Sequence, residues 1–567
     1  MINLRSELQK LLKEALEKAA AAGELAQFSI EKVPVQYPPS MNDEVYDYAS
    51  PIALIISKQL KENPIAAAKI ILEHFEKPDF IEKVDIVEPG FINFVLNSDW
   101  MVRKLDNIVE EGELFGTSNL GKGETVDLEF VSANPTGMPT FGNGRALFWA
   151  DSLGRVLERS GYAVTREYLI NDAGNQVRKY GESVLRRILQ NKGIDVPFPE
   201  DLYQGKEVFE LTKEVEEVLA EEDGHECTEQ DLQDENFMKR ISDVSVKITV
   251  QKTKKMLEDV CKVKYDVWFS EKTLHDNGDV AKVLEELKKR GFTYEKEGAV
   301  WFASTKFGDD KDRVLVKADG NVTYLVPDIA YHLNKFHRGF NKIVDFWGAD
   351  HFGYIKRLES AVAAMGEDTS RMKVIIAQMI HVLENGEQRK MSKRAGTSVP
   401  LNEVVESAGL SASRFFINMT ALSSHMDFDL NLAKEKSEKN PVYYVQYAYV
   451  RLASILRKAQ ETNVIDNQLV AEDARVSLNG PAENALMRNI FRYPEMLEDV
   501  ADSWDVQRLP HFAIELARSI HYFYDSVHIL NAESRELQTA LLALALAAKT
   551  TLGNLLDTLG VEKLQIM

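Results

Sequence analysis

Cysteine is nearly absent: Cys227 and Cys261 are the only two in 567 residues. Neither forms a CxxC pair or has a histidine cluster beside it, which excludes a disulfide framework or structural zinc site as the organising device and fits a reducing cytoplasm. Long apolar runs are also missing. The most apolar tract, 537–548, is bounded by Glu536 and Lys549 and falls short of the roughly 20 residues that span a bilayer. The opening stretch mixes charges with Leu4, Leu8, Leu11 and Leu12, the pattern of an amphipathic helix and not of a signal peptide, so neither export nor a membrane partner is expected. Positive charge is in deficit, with 68 Lys and Arg against 89 Asp and Glu, a net −21. That argues against indiscriminate nucleic-acid binding, which depends on cations displacing counterions from phosphates. No internal repeat or low-complexity tract occurs. A chain of this length with 44% hydrophobic residues builds several cores, so three or four domains are expected.

Two distant signals stand out against that background. The first is the glycine-bearing run Ser132-Ala133-Asn134-Pro135-Thr136-Gly137-Met138-Pro139-Thr140-Phe141-Gly142-Asn143-Gly144-Arg145. It follows a strand-like stretch and opens a helix-like one, where free backbone N–H groups at a helix start face phosphate oxygens and glycines remove Cβ atoms from the approach. The second, Lys390-Met391-Ser392-Lys393-Arg394, supplies cations able to stabilise a departing pyrophosphate. Together they read as two halves of an ATP site.

Residues 1–115 read as an α+β unit, with helices near 51–60 and 66–75 and a hairpin around Pro89-Gly90. From Glu124 the order strand, glycine loop, helix, strand predicts a parallel sheet with its ligand outside the carboxyl edge, in a domain spanning 116–410. An acidic, helical segment at about 195–260 reads as an insertion on that domain. A single strand is expected over 373–382, turning at Glu384-Asn385-Gly386 into the lysine loop, which would then also leave the sheet's carboxyl edge. Residues 411–567 are helical in pattern, punctuated by Pro441 and Pro481. The fold class is therefore α/β: a Rossmann-like parallel-sheet domain between an N-terminal α+β domain and a C-terminal all-α bundle.

This arrangement resembles a class I aminoacyl-tRNA synthetase, and the residues narrow the resemblance to arginyl-tRNA synthetases. The matching stretches are Glu129-Phe130-Val131-Ser132-Ala133-Asn134-Pro135-Thr136-Gly137, Asn171-Asp172-Ala173-Gly174-Asn175-Gln176, Gly308-Asp309-Asp310-Lys311-Asp312-Arg313, Asp328-Ile329-Ala330-Tyr331-His332, Gly348-Ala349-Asp350-His351-Phe352-Gly353-Tyr354 and Asn440-Pro441-Val442-Tyr443-Tyr444. They cover most of 124–460. One departure concerns the first signature, where Thr140 and Asn143 stand in place of the family's usual histidines. A second places Val326-Pro327 immediately before Asp328.

The resemblance implies arginine activation with ATP, carried as its magnesium complex with no protein-held metal, followed by transfer to tRNA by a cytoplasmic monomer. Thr140, Gly142, Asn143, Lys390 and Lys393 would be catalytic. Pro135, Thr136, Gly137, Gly142, Asn143, Gly144, Arg145, Gly348, Asp350, His351, Lys390, Met391, Ser392 and Lys393 would hold ATP. A guanidinium pairs with carboxylates as a planar fork, and Glu129, Asp328 and Asp350, with Ser132, Asn134, Tyr324 and His351, would take arginine. Tyr48, Asn440, Tyr443 and Tyr447 would contact tRNA. On spacing alone each has a plainer reading: Asp328 as a helix cap, Glu129 as a solvated strand residue, Tyr324 as core, His351 as a cap-region residue, and the tyrosines as a half-buried helix face. Two rivals stay open at this level, a synthetase for another amino acid and a tRNA-binding descendant that has lost catalysis.

Overall fold

In the computed structural model, residues 3–26, 28–38, 46–61, 63–388, 399–462 and 478–567 are described. The central sheet has five parallel strands: β1 (Thr125–Glu129), β2 (Ala163–Ile170), β3 (Val267–Ser270), β4 (Lys342–Gly348) and β5 (Met372–Ala377). Their spatial order is β5-β4-β1-β2-β3. The order reverses between β1 and β4, whose connections run away from each other and leave a crevice at the carboxyl ends. Helix α1 (Phe141–Arg159) follows the glycine-bearing loop, and helix α2 (Leu325–His337) lies across one face of the sheet. The other strand-like chemistry is simple: Val126, Leu128, Ile343, Val344 and Phe346 bury the apolar positions of β1 and β4.

The single strand expected over 373–382 is two strands in two sheets. After β5 the backbone diverts at Gln378, whose N–H donates to the Leu422 carbonyl at 2.9 Å. Residues Ile380–Glu384 then pair in parallel with Met426–Asp429 and antiparallel with Glu387–Gln388. The hairpin turn at Asn385-Gly386 has φ of 55° and 79°, the left-handed pair such turns require. The segment toward the lysine loop thus leaves a separate small sheet and not the edge of the main one.

The N-terminal region packs helices Leu4–Ala21, Ile52–Leu60 and Pro64–Glu73 on a three-stranded antiparallel sheet. The long C-terminal helices are Pro441–Glu461, Pro481–Ser503, Arg508–Ser526 and Arg535–Leu559. Proline occupies the first position of two of them, where its missing N–H has no intrahelical partner to lose, and Asn440 caps the first by accepting from Val442 N–H at 3.1 Å. The last helix is longer than the apolar tract read from the sequence. At 25 residues it is long and apolar enough to cross a membrane, but 78% of its apolar window is buried inside the protein, so burial and not shortness is what marks it as a core helix.

Candidate active site

Three acids stand side by side across the sheet, at the carboxyl end of β1 and midway along β4 and β2. Asp345 on β4 is the register partner of Glu129 on β1, which is the partner of Glu167 on β2. Asp127, two residues before Glu129, shares their face because strand side chains alternate with period two. All four are buried, none more than 5% exposed. Helix α2 covers them with a basic stripe. Lys335 Nζ donates to Glu129 Oε2 and Asp345 Oδ1, both at 2.6 Å, and His332 Nε2 lies 3.0 Å from Asp345 Oδ2. Arg338, just past the helix, forks onto Glu167 with bonds of 2.5 and 2.9 Å, and Tyr331 donates to the same carboxylate at 2.6 Å. The flanking Lys335 and His332 cations hold Asp345 well below the ordinary carboxylate range. Asp127, with only Lys335 within reach at 3.2 Å, is pushed up to about 7 by burial.

Glu129 is not a solvated strand residue. Its second oxygen accepts from Ser132 Oγ at 2.8 Å, leaving each carboxylate oxygen room for one further donor. The turn that brings Ser132 back is strained: Val131 and Ser132 have φ of 71° and 35°, a region costly for a β-branched residue and a recurrent mark of functional sites. Asp328 is not a helix cap either. The helix begins at Leu325, Asp328 lies in its first turn, and its carboxylate accepts the Tyr354 hydroxyl proton. Burial raises its pKa against that hydrogen bond. Tyr324 is 70% exposed rather than core. Asp350 and His351 sit on an exposed 3₁₀ turn, Ala349–Tyr354, with 3.6 Å between His351 Nε2 and Asp350 Oδ2. Asn134 is exposed and donates to Gln176 at 2.9 Å.

On the nucleotide side, Gly142 is exposed, and a Cβ there would meet only Thr140 Oγ1 at 3.5 Å, so the helix start is open to a ligand. Pro135 is buried, with Thr136 and Gly137 half-buried beside it. Gly144 serves another purpose than the one expected of it: a Cβ there would lie 2.7 Å from Leu401 Cδ1, so its small size admits Leu401, not a phosphate. Arg145 is also reassigned. Fully buried, it donates to the carbonyls of Ala421 at 2.6 Å and Ser424 at 2.5 Å, so its guanidinium is spent on the chain's own backbone. Thr140 and Asn143 spend part of their capacity on each other, since Thr140 N and Oγ1 both donate to Asn143 Oδ1 at 2.9 and 3.1 Å. Only the Asn143 amide nitrogen is left to donate outward.

Lys390, Met391, Ser392, Lys393 and Arg394 lie outside the described residues. Residues 399–401 are fastened to the first signature: Phe141 N–H donates to Val399 O, Leu401 N–H donates to Pro139 O, each at 3.0 Å, and Thr140 and Pro400 form an antiparallel bridge.

Two of the four expected tRNA contacts are overturned. Tyr48 is buried, its hydroxyl donating to Glu495 at 2.8 Å. Asn440 is buried, its amide spent on the carbonyls of Ala433 and Glu435 at 3.1 and 2.9 Å. Tyr443 and Tyr447 are half-buried and stack with centroids 6.3 Å apart, and Arg451 lies over the Tyr447 and Tyr524 rings at 4.9 and 4.8 Å. The sequence reading missed Lys335, Asp345 and Asp127. Their signal was present, a charge inside each of the apolar runs Val126-Asp127-Leu128 and Val344-Asp345-Phe346, and Asp328, His332 and Lys335 at helical i, i+4, i+7 spacing.

Comparison with known proteins decides the family. Residues 104–426 match the class I (R) tRNA synthetase catalytic domain, 6–96 the arginyl tRNA synthetase N-terminal domain and 445–567 the DALR anticodon binding domain. The chain belongs to the arginyl-tRNA synthetase family. It is 40% identical over 565 residues to the arginine–tRNA ligase of Bacillus subtilis strain 168 and 39% identical over 571 to that of Geobacillus kaustophilus, each alignment covering 99% of both chains. The Thermus thermophilus arginyl-tRNA synthetase structure shares the fold over 100% of both chains, with a TM-score of 0.76 at 20% identity. As an arginyl-tRNA synthetase, the protein is an arginine–tRNA ligase that uses ATP as a substrate in a two-step aminoacylation.

Proposed function

We propose that both steps take place in the crevice between β1 and β4, with arginine's guanidinium turned toward Glu129 and Asp328 and the triphosphate over the start of α1. The observation that carries this reading is that Glu129, at the end of β1, is joined through Lys335, Asp345 and His332 to the first turn of α2 that holds Asp328, while Gly142 is open at the start of the helix that follows β1. In the first step the arginine carboxylate oxygen bonds to the α-phosphorus as the bond to the β-phosphate bridging oxygen breaks, releasing pyrophosphate. In the second, the 3′-terminal ribose hydroxyl attacks the arginyl carbonyl, loses its proton, and AMP departs. Positioning and charge stabilisation supply the acceleration. Magnesium travels with ATP, and Gly348, Asp350 and His351 line the nucleotide's other side. Ser132 fixes Glu129, while Tyr324 and Asn134 close the amino-acid side.

Lys390 and Lys393 are assigned to the leaving pyrophosphate. The hydrogen bonds of Val399 and Leu401 to Phe141 and Pro139 support this, because they join residues that follow the lysines in sequence to the first signature. Tyr443 and Tyr447, on the helix Pro441–Glu461 that leads into the anticodon-binding match at 445–567, are assigned to stacking with tRNA bases. We infer a cytoplasmic monomer.

The test is tRNA-dependent ATP–pyrophosphate exchange with a panel of amino acids. Exchange with arginine alone supports the reading, whereas exchange with another amino acid, or none, overturns it. Lys393→Ala should slow exchange by about 10²-fold or more, the scale of a lost transition-state donor. Exchange near the original rate would remove Lys393 from the mechanism.

A further inference from the structure

The buried stripe on α2 links the two acids assigned to arginine. From Glu129 Oε2 the contacts run to Lys335 Nζ at 2.6 Å, to Asp345 Oδ1 at 2.6 Å, from Asp345 Oδ2 to His332 Nε2 at 3.0 Å, and from His332 Nδ1 to the carbonyl of Asp328 at 2.8 Å. The chain has no gap. A carbonyl only accepts, so His332 Nδ1 carries its hydrogen. If Nε2 were bare it would set a lone pair against the Asp345 carboxylate, so both nitrogens donate and the ring is an imidazolium.

We propose that Lys335 and His332 are positioning residues for arginine recognition, tying the Glu129 carboxylate to the first turn that presents Asp328. Glu129 has Asp345 and Glu167 as register partners and Asp127 two residues away. Like charges so close and so dry disfavour one another's ionised forms, and a cation standing among them favours those forms. Lys335 is that cation, touching three of the four. It therefore fixes both the place and the charge of the acceptor that meets the guanidinium. His332 anchors the other end, where Asp328 turns toward the crevice. Neither residue touches substrate in this account; each acts through an acid that does.

The inference rests on Glu129 and Asp328 being the guanidinium acceptors, and the experiment separates the two claims. Steady-state charging by the full-length protein would be measured over arginine and ATP concentrations for Lys335→Met, Lys335→Arg, His332→Gln and Glu129→Gln, each with its melting temperature. Lys335→Met should raise the KM for arginine by about 10-fold or more, a step worth one decade of binding. The KM for ATP should stay put, kcat should move less than the arginine KM, and Lys335→Arg should recover part of the loss. His332→Gln should shift the arginine KM the same way by less, and decides the matter if Lys335→Met does not fold. Variants that melt earlier with an unmoved arginine KM make the stripe purely structural and overturn the proposal. If Glu129→Gln also leaves that KM alone, it is the assignment of Glu129 that fails; if Glu129→Gln raises it and the α2 variants do not, only the positioning role falls.

Discussion

The buried acids under α2 and the buried Glu495 are built on opposite terms. Under α2, the four acids Asp127, Glu129, Glu167 and Asp345 meet three cationic partners, Lys335, Arg338 and His332. Between the N-terminal region and the C-terminal helices, one acid meets a surplus of donors: Glu495 accepts from Arg5 N–H at 2.7 Å, from the Tyr48 hydroxyl at 2.8 Å and from the Tyr37 hydroxyl. The first cluster has acid capacity to spare and a strained turn leading out of it. The second is satisfied, has ordinary backbone geometry around Glu495, and joins distant parts of the chain. A buried acid with unspent acceptors next to a crevice is set up to receive a cation, whereas one saturated by its own chain is a fastener.

The largest contrast should come from removing the fastener. Glu495→Ala leaves two tyrosine hydroxyls and the Arg5 backbone N–H without their acceptor, and each buried donor left unsatisfied costs about 1–3 kcal/mol. The expected outcome, read by denaturant unfolding and by charging kinetics well below the melting temperature, is a large fall in stability with an unmoved KM for arginine. A raised arginine KM in a protein that is still folded would erase the distinction between the two clusters.

A pH titration sharpens the comparison from the other side. Asp127 faces Lys335, Glu167, Asp345 and Arg338, and burial raises its pKa to about 7, against roughly 3.9 for an unfolded chain. Between those values the native protein keeps a proton that the unfolded chain has lost. Its contribution to stability is therefore fully present below the unfolded pKa and is lost as pH rises through the native one, at up to ~1.4 kcal/mol per pH unit. Asp127→Asn carries no such dependence. The variant should match the parent near pH 4 and gain on it as pH rises, levelling off above neutrality. A difference in unfolding free energy that is flat across this range would mean the acids under α2 are not in excess.

The same contrast explains what was legible in the sequence. The parallel sheet and the helical C-terminal half were legible, since strand, glycine loop, helix and strand follow in order from Glu124 and Pro441 and Pro481 mark helix starts; the order of the strands was not. The glycine-bearing run was visible as a nucleotide loop, yet its individual duties were not. Gly142 and Gly144 look equivalent on paper, and only the approach of Leu401 from more than two hundred residues away separates them. Arg145 beside a glycine loop reads as a phosphate ligand until Ala421 and Ser424 supply its acceptors. Gln378 could not be seen as a strand break because the partner that diverts it, Leu422, lies far along the chain. Charges inside apolar runs and the helical spacing of Asp328, His332 and Lys335 were the overlooked local signals, and they mark the network under α2.

Tyr48 is where that failure of local reading can be measured most cleanly, and its expected effect is the smallest. The resemblance implied a tRNA contact at Tyr48, but the ring is buried against Tyr37 at 5.6 Å between centroids and the hydroxyl ends on Glu495. Tyr48→Phe removes one hydrogen bond to a carboxylate that keeps two other donors, so the loss should be about 1–2 kcal/mol of unfolding free energy. Affinity for tRNA should be unchanged, because the group removed faces the interior. Filter binding of the tRNA alongside the unfolding curve checks both halves: weakened binding with intact stability would mean that the N-terminal region opens to expose Tyr48 when tRNA docks, and Glu495 would then be a latch and not a fastener.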